Sequence, residues 1–322
     1  MALINGTTDN DILEGTSGSD TLDGLGGSDT MSGGQGNDTY RVDMPTDVVT
    51  ELANGGVDTI ISLVDINGLA DNVENGILDA NGTNNTYIYG NSLNNRLVGN
   101  ARANQLGGGP GRDTMEGGAG NDSYEVNDAG DLVVENAGQG TDSVGSSVNY
   151  TLVTNVENLM LLGAARRGFG NDLNNLIIGS EDASGTDGNV LSGAGGNDTL
   201  IGGALSNDTM SGGTGNDLYE VRQSTDVIVE DPNAGLDGVA SYADYTLSAN
   251  IEDLSLWDGA RVGVGNSDNN TLYGSLEAAG DDGNRLEGRA GNDILIDRYG
   301  TQAPENDSID TLVGGSSNDI YM

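Results

Sequence analysis

The sequence predicts an all-β fold, a parallel β-roll or right-handed β-solenoid. Three observations carry this: a nine-residue repeat with one fixed apolar place, an acidic residue at a second fixed place, and a composition too rich in glycine and too poor in aromatics for a thick core. From Gly6 the chain reads GTTDNDILE, GTSGSDTLD, GLGGSDTMS and GGQGNDTYR, with Asp11, Asp20, Asp29 and Asp38 in the sixth place and Leu13, Leu22, Met31 and Tyr40 in the eighth. A period of nine fits neither a 3.6-residue helix nor a lone strand of period two. It fits a coil in which each nonapeptide makes one turn and one short strand, two nonapeptides completing each circuit.

The unit returns from Gly108 to Glu125 with Asp113 and Asp122, from Gly193 to Glu220 with Asp198, Asp208 and Asp217, and from Gly288 to Ile296 with Asp293; the last residues, DTLVGGSSNDIYM, add Asp310 and Asp319. Between these blocks runs a longer repeat of about 90 residues. Its copies begin YRVDMPTDVV at Tyr40, YEVNDAGDLV at Tyr124 and YEVRQSTDVI at Tyr219, and each leads to NVEN, NVEN or NIED at Asn72, Asn155 and Asn250. Alternation within YxV and DVVxE predicts short strands that continue the coil. A third element is a nonapeptide with Asn in the sixth place, at Asn95, Asn104, Asn175 and Asn270. Asn keeps the shape and drops the charge, so stacked amides are expected to bond along the axis without a cation. The chain reads as one continuous solenoid of pseudo-repeats, 1–41, 42–125, 126–220 and 221–322, with insertions at Ser180–Asn189, Ser275–Asn284 and Asp297–Asp310 as loops off one face.

Composition says what must hold such a coil together. The 322 residues include 54 Gly, one Phe, one Trp and 51 Asp plus Glu against 11 basic residues, for a net charge of −40. Apolar burial alone does not offset the entropy of ordering a chain of this kind. Nearly unopposed carboxylate repels nucleic acid and anionic membranes, but is what a hard divalent cation such as calcium takes as ligand, with six to eight oxygens in irregular geometry. Without Cys or His there is no disulfide framework, thiol chemistry or nitrogen-and-sulfur zinc site. Met1 to Asn10 lacks the basic and apolar segments of a secretory signal, and no apolar run nears the ~18 residues that span a bilayer. Neither a nucleic-acid partner nor membrane insertion is expected.

The unit GGxGxDxUx, U being a large apolar residue, resembles the calcium-binding nonapeptide of the RTX, or haemolysin-type, repeat proteins. Each place has a physical reason. Gly in the first, second and fourth places permits positive φ and close approach, which frees carbonyl oxygens to point at one spot; Gly33, Gly36, Gly117, Gly120, Gly212 and Gly215 are expected to ligate that way. The sixth-place Asp adds a carboxylate, and U points between two sheets. Asp20 with Asp38 and Asp11 with Asp29, eighteen residues apart, are the pairs this geometry brings together around several calcium ions. No single turn holds a finished site, so ion binding and folding are one event. The resemblance implies export through a type I channel without an N-terminal signal, unfolded in low calcium, followed by folding at the cell surface or outside it. An ending of one acidic residue and then apolar ones, here Asp319 to Met322, also occurs in that family; a shortened repeat reads equally well.

A catalytic centre is not expected. HExxH, GxSxG, Ser–His–Asp and lysine nucleophiles are missing, and so many acids make any pair proposed for glycoside hydrolysis uninformative. A β-helical lyase or epimerase would use calcium and Arg, but the adjacent Arg166 and Arg167 read better as flanks of a loop. The spacer acids Asp43, Asp47, Glu51, Asp58, Asp131, Glu135, Asp142, Asp226, Glu230 and Asp237 recur at matching offsets, either as further calcium ligands or as Asx turns. Tyr40, Tyr124, Tyr219 and Tyr321 close the blocks, as plugs where the coil widens or as sugar-stacking rings. Terminal repeats without obvious caps lead to the expectation of head-to-tail self-assembly into a filament, sheath or surface layer. The rival expectation is a monomeric module for polysaccharide or cell-surface adhesion.

Overall fold

The computed structural model describes residues 1–82, 86–182, 187–275, 282–297 and 309–322, and among these there is no helix. They form two compact units, Met1–Val148 with Val153–Val156, and Asn149–Leu152 with Glu157–Met322. The pseudo-repeat limits at 41/42, 125/126 and 220/221 each fall inside a strand, Thr39–Val42, Ser123–Val126 and Leu218–Val221.

In the first unit alternate strands feed two faces of a coil. Leu3–Asn5, Thr21–Asp23, Thr39–Val42, Thr59–Ser62, Asn75–Leu78, Arg96–Val98, Thr114–Glu116 and Leu132–Val134 form one parallel sheet. Ile12–Glu14, Thr30–Ser32 and Val48–Thr50 form another, and Tyr87–Tyr89, Gln105–Gly107, Ser123–Val126 and Ser143–Ser146 pair in the same parallel sense. Leu3 lies beside Thr21 and Thr21 beside Thr39, eighteen residues on each time. The spacer keeps the coil going with uneven turns: Thr39 pairs with Thr59, and Thr59 with Asn75.

The second unit repeats the plan. Asn158–Leu161, Leu176–Ile178, Thr199–Ile201, Leu218–Val221, Gly238–Ser241, Asp253–Leu256, Thr271–Tyr273, Ile294–Ile296 and Ile320–Tyr321 follow one another in a parallel sheet. Strands from Tyr150 to Ile228 and from Tyr245 to Ser316 make the other sides.

Most strands are three or four residues long, because in a regular nonapeptide only places seven to nine are free of the turns. Their middle residue, the eighth place, is the core: Leu22, Met31, Tyr40, Leu97, Leu106, Met115, Tyr124, Leu200, Met210, Tyr219 and Leu295 are wholly buried. The apolar interior is about one side chain thick per strand, and burial at roughly 25 cal/mol per Å² from so thin a core leaves the turns to decide stability. Residues 183–186, 276–281 and 298–308 of the three long insertions lie outside the described residues, so the course of these loops is not assigned. At two of them the described ends meet: Ser180 N–H donates to Asn189 Oδ1 at 3.0 Å, and Ser275 N–H to Asn284 Oδ1 at 3.1 Å.

The repeat's glycines divide by role. Second-place Gly34, Gly109, Gly118 and Gly213 and fourth-place Gly36, Gly111, Gly120 and Gly215 have positive φ, as expected. First-place glycines do not, and there the reason is space alone. A Cβ on Gly33 would stand 2.3 Å from Asp38 Oδ2, and one on Gly117 2.3 Å from Asp122 Oδ2.

Candidate metal centres

The sixth-place acids form ladders. Oδ1 of each accepts the backbone N–H of the sixth-place residue one coil earlier: Asp11 N–H to Asp29 at 2.8 Å, Asp20 to Asp38 at 2.7 Å, Asp198 to Asp217 at 2.8 Å and Asp293 to Asp319 at 3.1 Å. Both pairs expected from sequence are therefore joined. The other oxygen is a different matter. Oδ2 of Asp29, Asp38, Asp113, Asp122, Asp198, Asp208, Asp217 and Asp293 is buried without a hydrogen-bond partner, on residues at most 3% exposed. A buried carboxylate oxygen without a donor is costly unless a cation takes the donor's place.

The Asn turns provide an internal control at the same place in the coil. Asn95 Oδ1 accepts Asn91 N–H at 2.8 Å, while its Nδ2 donates to the carbonyls of Val73 at 3.1 Å and Glu74 at 3.2 Å in the preceding turn. Asn270 does the same with Asn266 N–H at 2.8 Å and Ile251 O at 2.9 Å. Asn104 and Asn175 donate to Thr86 O and Glu157 O. The expectation of amides stacked on amides is corrected: each amide holds backbone carbonyls of the turn before it. At Asn turns the side-chain oxygen thus has the second-place N–H as its donor, and the Asp oxygens just named have none.

A model of the family described as RTX calcium-binding nonapeptide repeat (4 copies) matches residues 5–40, 89–124, 184–219 and 279–300. The chain is an RTX-type calcium-binding nonapeptide-repeat protein. Part of it also resembles two endo-1,3-1,4-beta-glycanases of Rhizobium meliloti (strain 1021): EglC, 30% identical over 29% of this chain and 20% of that enzyme, and ExsH, 30% identical over 27% and 19%. The matched stretch is thus about a fifth of either enzyme's length. The residues present fit the family's ion. All donors are hard oxygens, the partnerless oxygens are buried, and first-place glycines leave the space beside them open.

Not every RTX turn in this chain is open in that way. Asp11 Oδ2 accepts the N–H and hydroxyl of Thr7 at 2.6 and 2.9 Å, and Asp20 Oδ2 accepts both from Thr16 at 2.7 Å. The Thr16 hydroxyl, followed by the N–H groups of Ala2 and Thr16, holds Asp20 below the usual carboxylate range. The difference lies in the second place. Where it is Thr or Asn, its N–H turns to the sixth-place side chain. Where its φ is positive, as at Leu25, Gly34, Gly109, Gly118, Ala194 and Gly213, the sixth-place Oδ2 has no partner. Asp310 and Asp319 accept from Asn284 and Asp293 and are partly exposed.

The six glycines expected to ligate through carbonyls face the adjoining turn. Carbonyl oxygens of Gly33, Gly117 and Gly212 lie against Gly15, Gly99 and Gly193, and those of Gly36, Gly120 and Gly215 against Gly56, Gly140 and Gly235, at 1.7 to 2.7 Å from where a Cβ on those residues would sit.

Burial pushes Asp58, Asp113, Asp122, Asp198 and Asp237 up to about 6 and Glu135 up to about 7. It also raises Asp43, beside the carboxylates of Asp47, Asp23 and Asp29.

Two groups escaped the sequence reading. Asn189 and Asn284 are sixth-place amides hidden behind insertions; their N–H groups donate to Asp208 and Asp310 at 2.6 Å. Spacer acids Asp47, Asp131 and Asp226 continue the ladder, accepting Asp29, Asp113 and Asp208 N–H at 3.0 to 3.1 Å. Tyr40, Tyr124 and Tyr219 are fully buried, which rules their rings out as sugar platforms; Tyr321 is 52% exposed. Arg166 braces its loop by donating to the carbonyls of Gly163 and Ala165, each at 2.7 Å.

Proposed function

We propose that this chain is a secreted, non-catalytic structural protein that folds outside the cell when calcium fills the sixth-place sites, and that copies then join end to end. The observation carrying the first part is the row of buried Asp oxygens without donors, set against Asn at the same place with every donor used. At the ~10⁻⁴ to 10⁻³ M affinities of extracellular calcium modules, the sites stay empty in a low-calcium cytosol and fill outside it. RTX-type repeats support export by a type I route. Support for assembly comes from apolar side chains left in the open, Leu3, Ile12, Ile320 and Tyr321 being 70, 79, 52 and 52% exposed.

The partial likeness to two glycanases supports a second reading, a calcium-folded module that keeps a polysaccharide-active partner at its substrate. Sedimentation velocity across a calcium titration separates the two. Fast-sedimenting polymers dissolved by chelator are expected of the assembling protein. A compact calcium-bound monomer that is retained on a 1,3-1,4-β-glucan column overturns assembly in favour of the module.

A further inference from the structure

At three places the chain carries a constellation that the nonapeptide alone does not make. Each lies where a block of nonapeptides gives way to a spacer: Asp38, Glu51 and Asp58; Asp122, Glu135 and Asp142; Asp217, Glu230 and Asp237. Here the coil takes 20 residues from one sixth-place Asp to the next, against 18 in the first block and 19 in the third. The residue eighteen after first-place Gly212 is Glu230, and Glu51 and Glu135 stand in the same relation to Gly33 and Gly117. In a nine-residue turn a side chain there strikes the sixth-place carboxylate, as at Gly33 and Gly117. Two extra residues make the room.

The glutamates are held rather than left to solvent. The hydroxyls of Tyr40, Tyr124 and Tyr219 donate to Glu51, Glu135 and Glu230. Those of Tyr40 and Tyr124 also accept Gly33 and Gly117 N–H, at 2.7 and 2.8 Å. The side-chain amides of Asn72, Asn155 and Asn250, from the NVEN and NIED segments, donate to the backbone carbonyls of the same glutamates at 3.1, 3.0 and 2.8 Å. Sequence segments far apart therefore hold one residue, by its side chain and by its backbone carbonyl, and they do so three times.

At the first two places one oxygen from each of the three carboxyls lies within 4.8 Å of the others. Oxygens around one calcium at ~2.4 Å are at most ~4.8 Å apart. Asp38, Asp58, Asp122 and Glu135 are 1, 0, 2 and 8% exposed, and each keeps one buried oxygen without a partner. At the third place Asp217, Glu230 and Asp237, 3, 7 and 1% exposed, do likewise.

We propose that each triad is a cation site of a second class, a three-carboxylate centre that closes a nonapeptide block, with Glu51, Glu135 and Glu230 as the ligands that set it apart. The inference rests on the calcium reading above. Three carboxylates on one ion give more charge than the two of a turn within a block, so these sites fill first and take a trivalent lanthanide readily. The neighbouring Tyr makes each an antenna for terbium.

The test uses the full chain and four variants, Glu51→Gln, Glu135→Gln, Glu230→Gln and the triple. Calcium is counted by equilibrium dialysis, and terbium emission is read on tyrosine excitation. Each single variant is expected to hold one ion fewer than the parent, the triple three fewer, with tyrosine-sensitised emission falling at each step. Should the triple fail to fold, the single variants, each with two triads intact, decide the matter. Ion counts and emission equal to the parent's overturn the triad sites while leaving calcium-driven folding in place. A parent chain that takes up no calcium overturns the calcium reading itself.

Discussion

Removing calcium is expected to unfold both units. Among the described residues thirteen buried carboxyl oxygens have no hydrogen-bond partner. At about 1–3 kcal/mol for each unsatisfied group, even the low end, about 13 kcal/mol, consumes the ~5–15 kcal/mol by which a domain is ordinarily stable. Like charges raise the cost, because the ladders set carboxylates one above another, and the core is too thin to offset it. The assay is far-UV circular dichroism with sedimentation velocity, first in chelator and then through a calcium titration. A disordered, expanded chain in chelator and a steep return of β signal with calcium are expected. Native β signal and an unchanged sedimentation coefficient in chelator would falsify the reasoning, since they would mean that something other than a cation satisfies those oxygens.

Three other outcomes follow from the same geometry. Protons should partly replace calcium: burial raises Asp58, Asp113, Asp122, Asp198 and Asp237 to about 6 from an unfolded value of 3.8, so their contribution to the metal-free fold is full below about pH 4 and lost as pH rises through about 6. Asp20, held below the usual range, opposes this only at still lower pH. Acidifying the chelated chain should therefore raise β content, and a steady fall would count against the assignment. Gly117→Ala should raise the calcium midpoint of folding, costing about 1–3 kcal/mol, because its Cβ would stand 2.3 Å from Asp122 Oδ2 and 2.4 Å from the Tyr124 hydroxyl. Gly18→Ala, with nothing within 4 Å, should leave the midpoint within about 1 kcal/mol of the parent's, and equal effects of the two would refute the steric account. Asp198→Asn should remove one ion and flatten the calcium titration, while adding β signal in chelator because the amide brings its own donor; calorimetry showing an unchanged ion count would exclude Asp198 as a ligand.

The period of nine was enough to place the strands, the eighth-place core and the pairing of Asp11 with Asp29 and Asp20 with Asp38, because a fixed register repeats its information at every turn. What it hid came from turns of other lengths. The spacer strands read correctly as strands, but the 20-residue step from Asp38 to Asp58 could not be told from sequence, and without it Glu51 had no place in the coil. Insertions concealed Asn189 and Asn284 in the same way. The division between closed and open acids was in the sequence unread: Thr7 and Thr16 stand in the second place where Gly34 and Gly118 stand elsewhere, and the sign of φ there decides whether an N–H reaches the carboxylate.

That division orders the stack. Asn95 and Asn104 donate their N–H to Asp113 and Asp122, both at 2.7 Å, and Asn175 and Asn270 donate to Asp198 and Asp293 at 2.7 and 2.9 Å. The first acids of each later block thus rest on turns that are complete without metal. In the N-terminal block Thr7 and Thr16 complete Asp11 and Asp20, on which Asp29 and Asp38 build. In a coil where each turn contacts chiefly its neighbours, adding an ion-dependent turn to a finished one costs less than starting from two unfinished ones. Alternation of Asn and Asp at one place is therefore a way to begin folding without calcium and to finish it only with calcium.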